Sequence, residues 1–138
     1  MVKSNTHLAF DGNCAEAFAL YGKALDGETV FSTTYGATPA ADTVPSNWKD
    51  KVIHATFEFS GQTLTGCDAP PGRYTKPQGF AVMLSVDDAK EAERLFAALS
   101  AGGKVEMPIQ ETFWAVRFAM FTDRFGTPWM INVGKTPA

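Results

Sequence analysis

Apolar residues recur at helical spacing in two places along the chain. Cys14, Ala17, Phe18, Tyr21 and Leu25 make one stripe, and Ala92, Leu95, Phe96 and Leu99 make the other. Each stripe follows a short strand-like run, residues 6–10 in the first case and 80–86 in the second. Three further alternating runs come after each: 28–34, 51–59 and 62–67, then 104–112, 115–122 and 129–133. Ser60-Gly61 predicts a tight hairpin and Asp123-Arg124-Phe125-Gly126 a longer one. Residues 35–50, rich in Ala, Thr and Pro, predict a loop, and the Pro/Gly cluster that opens 68–78 predicts a linker between two halves.

The halves echo one another. Asn13 and Asp88, Glu16 and Glu91, Ala17 and Ala92, Leu20 and Leu95, and Tyr21 and Phe96 are all separated by 75 positions, as are Gly27 and Gly102. The echo has physical content. Asn13 and Asp88 are predicted helix N-caps, each with Glu three residues on, the pattern in which cap and Glu satisfy each other's free N–H groups. Gly27 and Gly102 are predicted to end the helices in a left-handed conformation. The order is β-α-β-β-β twice, an α+β fold in which two modules form curved sheets around a cup with the helices on the convex side. Module one covers about 1–68, the linker 69–78 and module two about 79–134, followed by a short tail, all in one domain of 138 residues. A ferredoxin-type sandwich would need one helix per two strands, and eight strands share two helices here.

Composition narrows the function classes. A formal net charge of −3, a pI near 5.3 and no Lys/Arg cluster leave no electrostatic footprint for nucleic acid. Charged residues, Gly or Pro interrupt every apolar run, so no membrane span is expected, and the first residues lack the apolar core of a signal peptide. Cys14 and Cys67 have neither metal-ligand nor redox-motif spacing and read as the reduced thiols of a cytoplasmic protein.

A duplicated β-α-β-β-β unit resembles the vicinal oxygen chelate superfamily, which includes glyoxalase I, bleomycin-resistance proteins and extradiol dioxygenases. Residues 10–18 (FDGNCAEAF), 48–55 (WKDKVIHA), 68–72 (DAPPG), Phe113-Trp114 and 121–126 (FTDRFG) are similar to PhnB-like proteins of that superfamily, in the expected order from Thr6 to Val133. That group also carries a demethylubiquinone methyltransferase name. The sequence lacks the glycine-rich strand-to-helix loop and long parallel sheet that would support such an activity.

The resemblance implies a divalent metal in the cup, held by His, Glu or Gln from the first and last strands of each half. Alignment on the helix starts places those positions at Thr6, Thr65, Ala81 and Met130, a set unsuited to zinc, nickel or iron. His7 is assigned to the opposite face by strand alternation. No metal and no cofactor are therefore expected. Alternation assigns the cup lining as Thr6, Leu8 and Phe10 on the first strand, then His54, Thr56 and Glu58, then Thr65 and Cys67. The second half contributes Met83 and Ser85, then Trp114, Phe118 and Met120, then Met130 and Asn132. Arg117 falls on the other face, as a salt-bridge residue.

His54 and Glu58 are the candidate acid–base residues, though four positions along one strand is roughly 13 Å at ~3.3 Å per residue, too far for a dyad. The leading function is a metal-free small-molecule binder of the PhnB-like group. The rivals are a metal-independent lyase or isomerase using His54 or Glu58, and a glyoxalase-type metalloenzyme. Open sheet edges and the family resemblance predict a homodimer, with no nucleic-acid or membrane partner.

Overall fold

The computed structural model describes residues 1–135. In chain order the elements are β1 (Thr6–Phe10), α1 (Cys14–Leu25), β2 (Glu28–Thr34), β3 (Val52–Phe59), β4 (Gln62–Asp68), β5 (Val82–Ser85), α2 (Ala89–Ser100), β6 (Lys104–Gln110), β7 (Ala115–Thr122) and β8 (Pro128–Gly134). The chain divides between Lys76 and Pro77 into two compact units. The first holds a sheet of order β1-β4-β3-β2 and the second a sheet of order β5-β8-β7-β6. In each, the outer strand before the helix runs parallel to the last strand and the other neighbours are antiparallel. The sequence echo is thus a repeat of topology.

One face of each sheet is sealed by its helix. In the first unit the Phe18 ring meets Phe10 edge-on at 5.9 Å and lies 5.5 Å from Phe57, which in turn meets Tyr21 at 6.4 Å. Phe10, Phe57 and Tyr21 are fully buried. In the second unit Ala92, Leu95 and Leu99 of α2 are buried, as are Leu84, Ala119 and Ile131 of the sheet, while Phe96 meets Phe121 edge-on at 5.5 Å. The Ser60-Gly61 hairpin has both residues at positive φ, 48° and 73°, as a two-residue turn matched to strand twist requires.

Two local expectations are corrected. Asp88 caps α2 as predicted, accepting from the Glu91 N–H at 3.2 Å, but the Asn13 side chain makes no cap bond to α1. The Cys14 N–H at that helix start donates instead to the Asp68 carboxylate at 2.9 Å, a partner 54 residues away. The second correction concerns the helix ends. Gly102 does adopt a left-handed φ of 76°, but at the end of α1 it is Asp26 that does so, with φ 53°. Gly27 is required for a different reason: a Cβ there would stand 2.5 Å from the Glu58 carbonyl oxygen. Its structural counterpart is Gly103, where a Cβ would stand 2.2 Å from the Thr122 carbonyl oxygen. Both let the chain pass hard against a neighbouring strand.

Residues 35–50 are better ordered than a plain loop, forming three short 3-10 turns at Tyr35–Ala37, Pro39–Thr43 and Ser46–Trp48. The Tyr35 hydroxyl anchors the segment by donating to the Asp68 backbone carbonyl at 2.6 Å.

Candidate functional site

The face of each sheet away from its helix is where function has room. On the first sheet the ladder pairs His7 with Thr65 and Thr65 with Thr56, so these three side chains share one face with His54 and Cys67. The same ladder pairs Thr6 with Leu64, Leu8 with Gly66 and Phe10 with Asp68, which puts the first-strand trio on the helix face. The expectation that Thr6, Leu8 and Phe10 line the open face is corrected, and His7 takes their place.

The cause is a difference in one turn. His7 stands six positions before Asn13, whereas Met83, its counterpart on β5, stands five before Asp88. The extra residue is absorbed at Asp11-Gly12, where Gly12 has a φ of 91° and its carbonyl accepts from Lys51 Nζ at 2.8 Å. An alignment anchored on the helices therefore slips by one on β1, and a slip of one reverses every side chain.

His7 organises the first open face. One ring nitrogen, Nδ1, is 2.7 Å from Thr65 Oγ1 and the other, Nε2, is 3.4 Å from Cys67 Sγ. The His54 ring lies parallel to it, with centroids 6.3 Å apart and planes 9° from parallel, and Phe31 packs against His54 at 6.2 Å. Thr56 Oγ1 is 3.5 Å from His54 Nε2. Glu58 joins none of this. It is exposed and lines a shallow cleft of about 330 Å³ at the Ser60-Gly61 end of the sheet, with Asp26 and Glu28.

On the second sheet the ladder pairs Met83 with Met130, Ser85 with Asn132, Phe118 with Asn132 and Met120 with Met130. These residues share the face away from α2, as expected. Trp114 sits just before β7, half-exposed, and its ring meets Phe118 edge-on at 5.3 Å, which keeps it on that side. Arg117 points the other way and pairs with Glu93 of α2 at 3.1 Å. Asn132 Oδ1 is buried without a hydrogen-bond partner among the described residues. An acceptor left so is expensive unless something binds to it.

Burial, and secondarily the repulsion of His54, lower the His7 pKa from the ordinary 6.5. The folded chain therefore prefers neutral His7. Between the lowered value and 6.5 the unfolded chain binds a proton that the folded chain does not, so stability rises with pH across that window. This contribution is complete above 6.5 and is lost as the pH falls through the lowered value. Chemical denaturation from pH 7.5 to pH 5 should show a smaller loss of stability for His7→Gln than for the parent; identical pH profiles would contradict the assignment. The Cys67 thiol is pushed up, first by burial and then by the Asp68 charge, and Cys14 is pushed up strongly by the same causes.

Among the described residues no three His, Cys, Asp or Glu side chains come together to hold a metal ion. The ladder-paired positions on the first and last strands of each sheet are His7 with Thr65 and Met83 with Met130.

Two four-stranded sheets, each with a single crossover helix and the same strand order, define the vicinal oxygen chelate class of fold. A glyoxylase/bleomycin resistance protein/dioxygenase domain from Frankia sp. EAN1pec shares it, with a TM-score of 0.68 at 15% identity over 98% of both chains. The chain belongs to the family whose model is described as 3-demethylubiquinone-9 3-methyltransferase, which matches residues 2–132, and within the superfamily it is a PhnB-like protein. It is 37% identical to protein YjdN of Escherichia coli K12 over 94% of this chain and 93% of that one. Protein PA1353 from Pseudomonas aeruginosa is 41% identical, with a TM-score of 0.88, over 97% of this chain and 98% of its own.

Proposed function

We propose that this protein binds a small molecule on the open faces of its sheets and does so without a resident metal. The observation that carries the reading is the chemistry of each sheet's first and last strands: where metalloenzymes of this fold class are expected to present nitrogen and carboxylate ligands, one sheet pairs His7 with Thr65 and the other pairs Met83 with Met130. The first open face offers hydrogen-bonding groups from His54, Thr56, Thr65 and Cys67. The second offers Met83, Trp114, Phe118, Met120 and Met130, with Ser85 and Asn132 as polar points. Such surfaces suit an aromatic or amphipathic molecule. Asn132 Oδ1, buried without a hydrogen-bond partner among the described residues, supports this reading as an acceptor for a ligand N–H or O–H.

The methyltransferase activity in the family's description gains no support from the residues. Each sheet contains one parallel pair, and no glycine-rich loop leads from a strand into a helix to hold a methyl donor. Acid–base catalysis by His54 with Glu58 is disfavoured too, since Glu58 faces the acidic cleft at the hairpin end and shares no contact with His54. Association as a homodimer and a cytoplasmic location belong to the same proposal. Sheet edges that call for cover support the first, and two free thiols are in keeping with the second. No helix among the described residues is long and apolar enough to cross a membrane.

Metal analysis of the purified protein tests the metal-free part. Zinc, nickel, manganese and iron should be far below one equivalent per chain. One equivalent of any of them, retained against a chelator and lost in His7→Gln, would overturn it.

A further inference from the structure

Cys67, His7 and Thr65 form a sequence of contacts whose geometry goes beyond what the binding reading requires. Cys67 Sγ lies 3.4 Å from His7 Nε2, and His7 Nδ1 lies 2.7 Å from Thr65 Oγ1. A nucleophile within reach of a base, with the base oriented by a third group, is the arrangement that activates thiols and hydroxyls in covalent catalysis. With Nδ1–H donating to Thr65 Oγ1, Nε2 carries the free lone pair, and the Cys67 S–H donates to it.

We propose that Cys67 is a covalent capture site for α,β-unsaturated carbonyl compounds, with His7 as general base and Thr65 as the residue that positions it. Burial and the Asp68 charge hold the thiol protonated, so attack needs a base at the moment of reaction, and His7 is kept neutral for that task. In the step, the S–C bond forms at the β-carbon as His7 Nε2 takes the thiol proton. The π electrons move through the α-carbon onto the carbonyl oxygen as an enolate, and the α-carbon then takes the proton back from the imidazolium as the carbonyl re-forms. The thiol adds across the double bond, nothing is oxidised and no co-reactant is needed.

The electrophile class follows from the surroundings. Acyl transfer needs N–H donors aimed at a developing oxyanion. Cys67 is on β4 and is paired with Ala9 of β1, so the backbone N–H groups there lie along the sheet and not toward its open face. A conjugate addition places its developing charge on an enolate oxygen removed from the attacked carbon, where water over the open face can receive it. Half-exposed Phe31, packed on His54, offers an apolar flank for a flat conjugated system. The proposal goes beyond the binding reading and does not depend on it, because an added electrophile reports on the thiol whether or not either face holds a natural ligand.

The probe is N-ethylmaleimide with the full chain at pH 7.5, the adduct mapped by peptide mass. Buried Cys14 is the internal control. Cys67 should be modified first, Cys67→Ser should abolish that adduct, and His7→Gln should slow it about 100-fold, the usual worth of a positioned base. Thr65→Val should slow it as well, and Thr65→Ser should keep the parent rate, which a merely structural role would not predict. Modification of Cys67 in His7→Gln at the parent rate would overturn the proposal. If His7→Gln does not fold, the Thr65 pair decides: equal rates for Thr65→Val and Thr65→Ser would refute it.

Discussion

Replacing Asp68 with alanine is expected to lower stability by about 3–5 kcal/mol, because two backbone donors lose a charged acceptor and stay buried. Asp68 closes β4 and is 1% exposed. Its Oδ1 accepts from the Cys14 N–H at the start of α1, and its Oδ2 accepts from the Val52 N–H at the start of β3 at 2.8 Å. One side chain therefore fixes the helix start and the strand that carries His54. Asp68→Asn should lose roughly half as much, since the amide keeps one acceptor but turns an NH₂ toward the other N–H. Urea titration of both variants checks the order. A loss below about 1 kcal/mol for Asp68→Ala would mean that water replaces the carboxylate without difficulty.

Asp123→Ala is expected to cost as much or more. Asp123 is 3% exposed, and its Oδ1 accepts from the Phe125 and Thr127 N–H groups at 2.9 and 3.0 Å. Its Oδ2 accepts from Trp129 Nε1 at 2.9 Å. Three donors converge on one carboxylate that shapes the β7–β8 hairpin and locks the fully buried Trp129 in place. At about 1.5–3 kcal/mol per charge-assisted bond, with non-additivity discounted, ~4 kcal/mol is the expected loss. The tryptophan fluorescence of the native variant should shift as the Trp129 indole N–H loses its carboxylate acceptor. An unshifted spectrum with parent stability would contradict this reading of the hairpin.

Much of this architecture is legible in the residues, and the failures have a common origin. Period-two alternation on β3 correctly separates Ala55 and Phe57 from His54 and Thr56, because Lys51 to Phe59 contains its own evidence of which side is apolar. On β1 the alternation is phased from the helix start and not from its own apolar side, Leu8 and Phe10, and so it puts His7 on the wrong face. Anchoring β1 on the helix start carried it through Asp11-Gly12, where the first module has one residue more than the second. Gly27 and Gly102 fail likewise: an offset that holds within the helices does not hold across the turns after them. Asp68 as the cap of α1 and the joining of His7 to Cys67 depend on β1 lying parallel to β4, and no local pattern announces that pairing.

The family's methyltransferase description and the metal chemistry of its superfamily call for different machinery, and the proposal of metal-free binding departs from both. Fold similarity at 15% identity carries architecture alone. The proposed binding rests on the side chains of the open faces: a His–Cys–Thr cluster beside a second histidine on one, and on the other methionines, aromatics and Asn132, whose Oδ1 has no hydrogen-bond partner among the described residues.

Native mass spectrometry of the protein purified without chelator from its own cells tests the central claim most directly. The binding account predicts a two-chain assembly in which each chain carries the added mass of an organic small molecule, released on denaturation, with no metal. Chains that carry one divalent metal each and no organic ligand would contradict it.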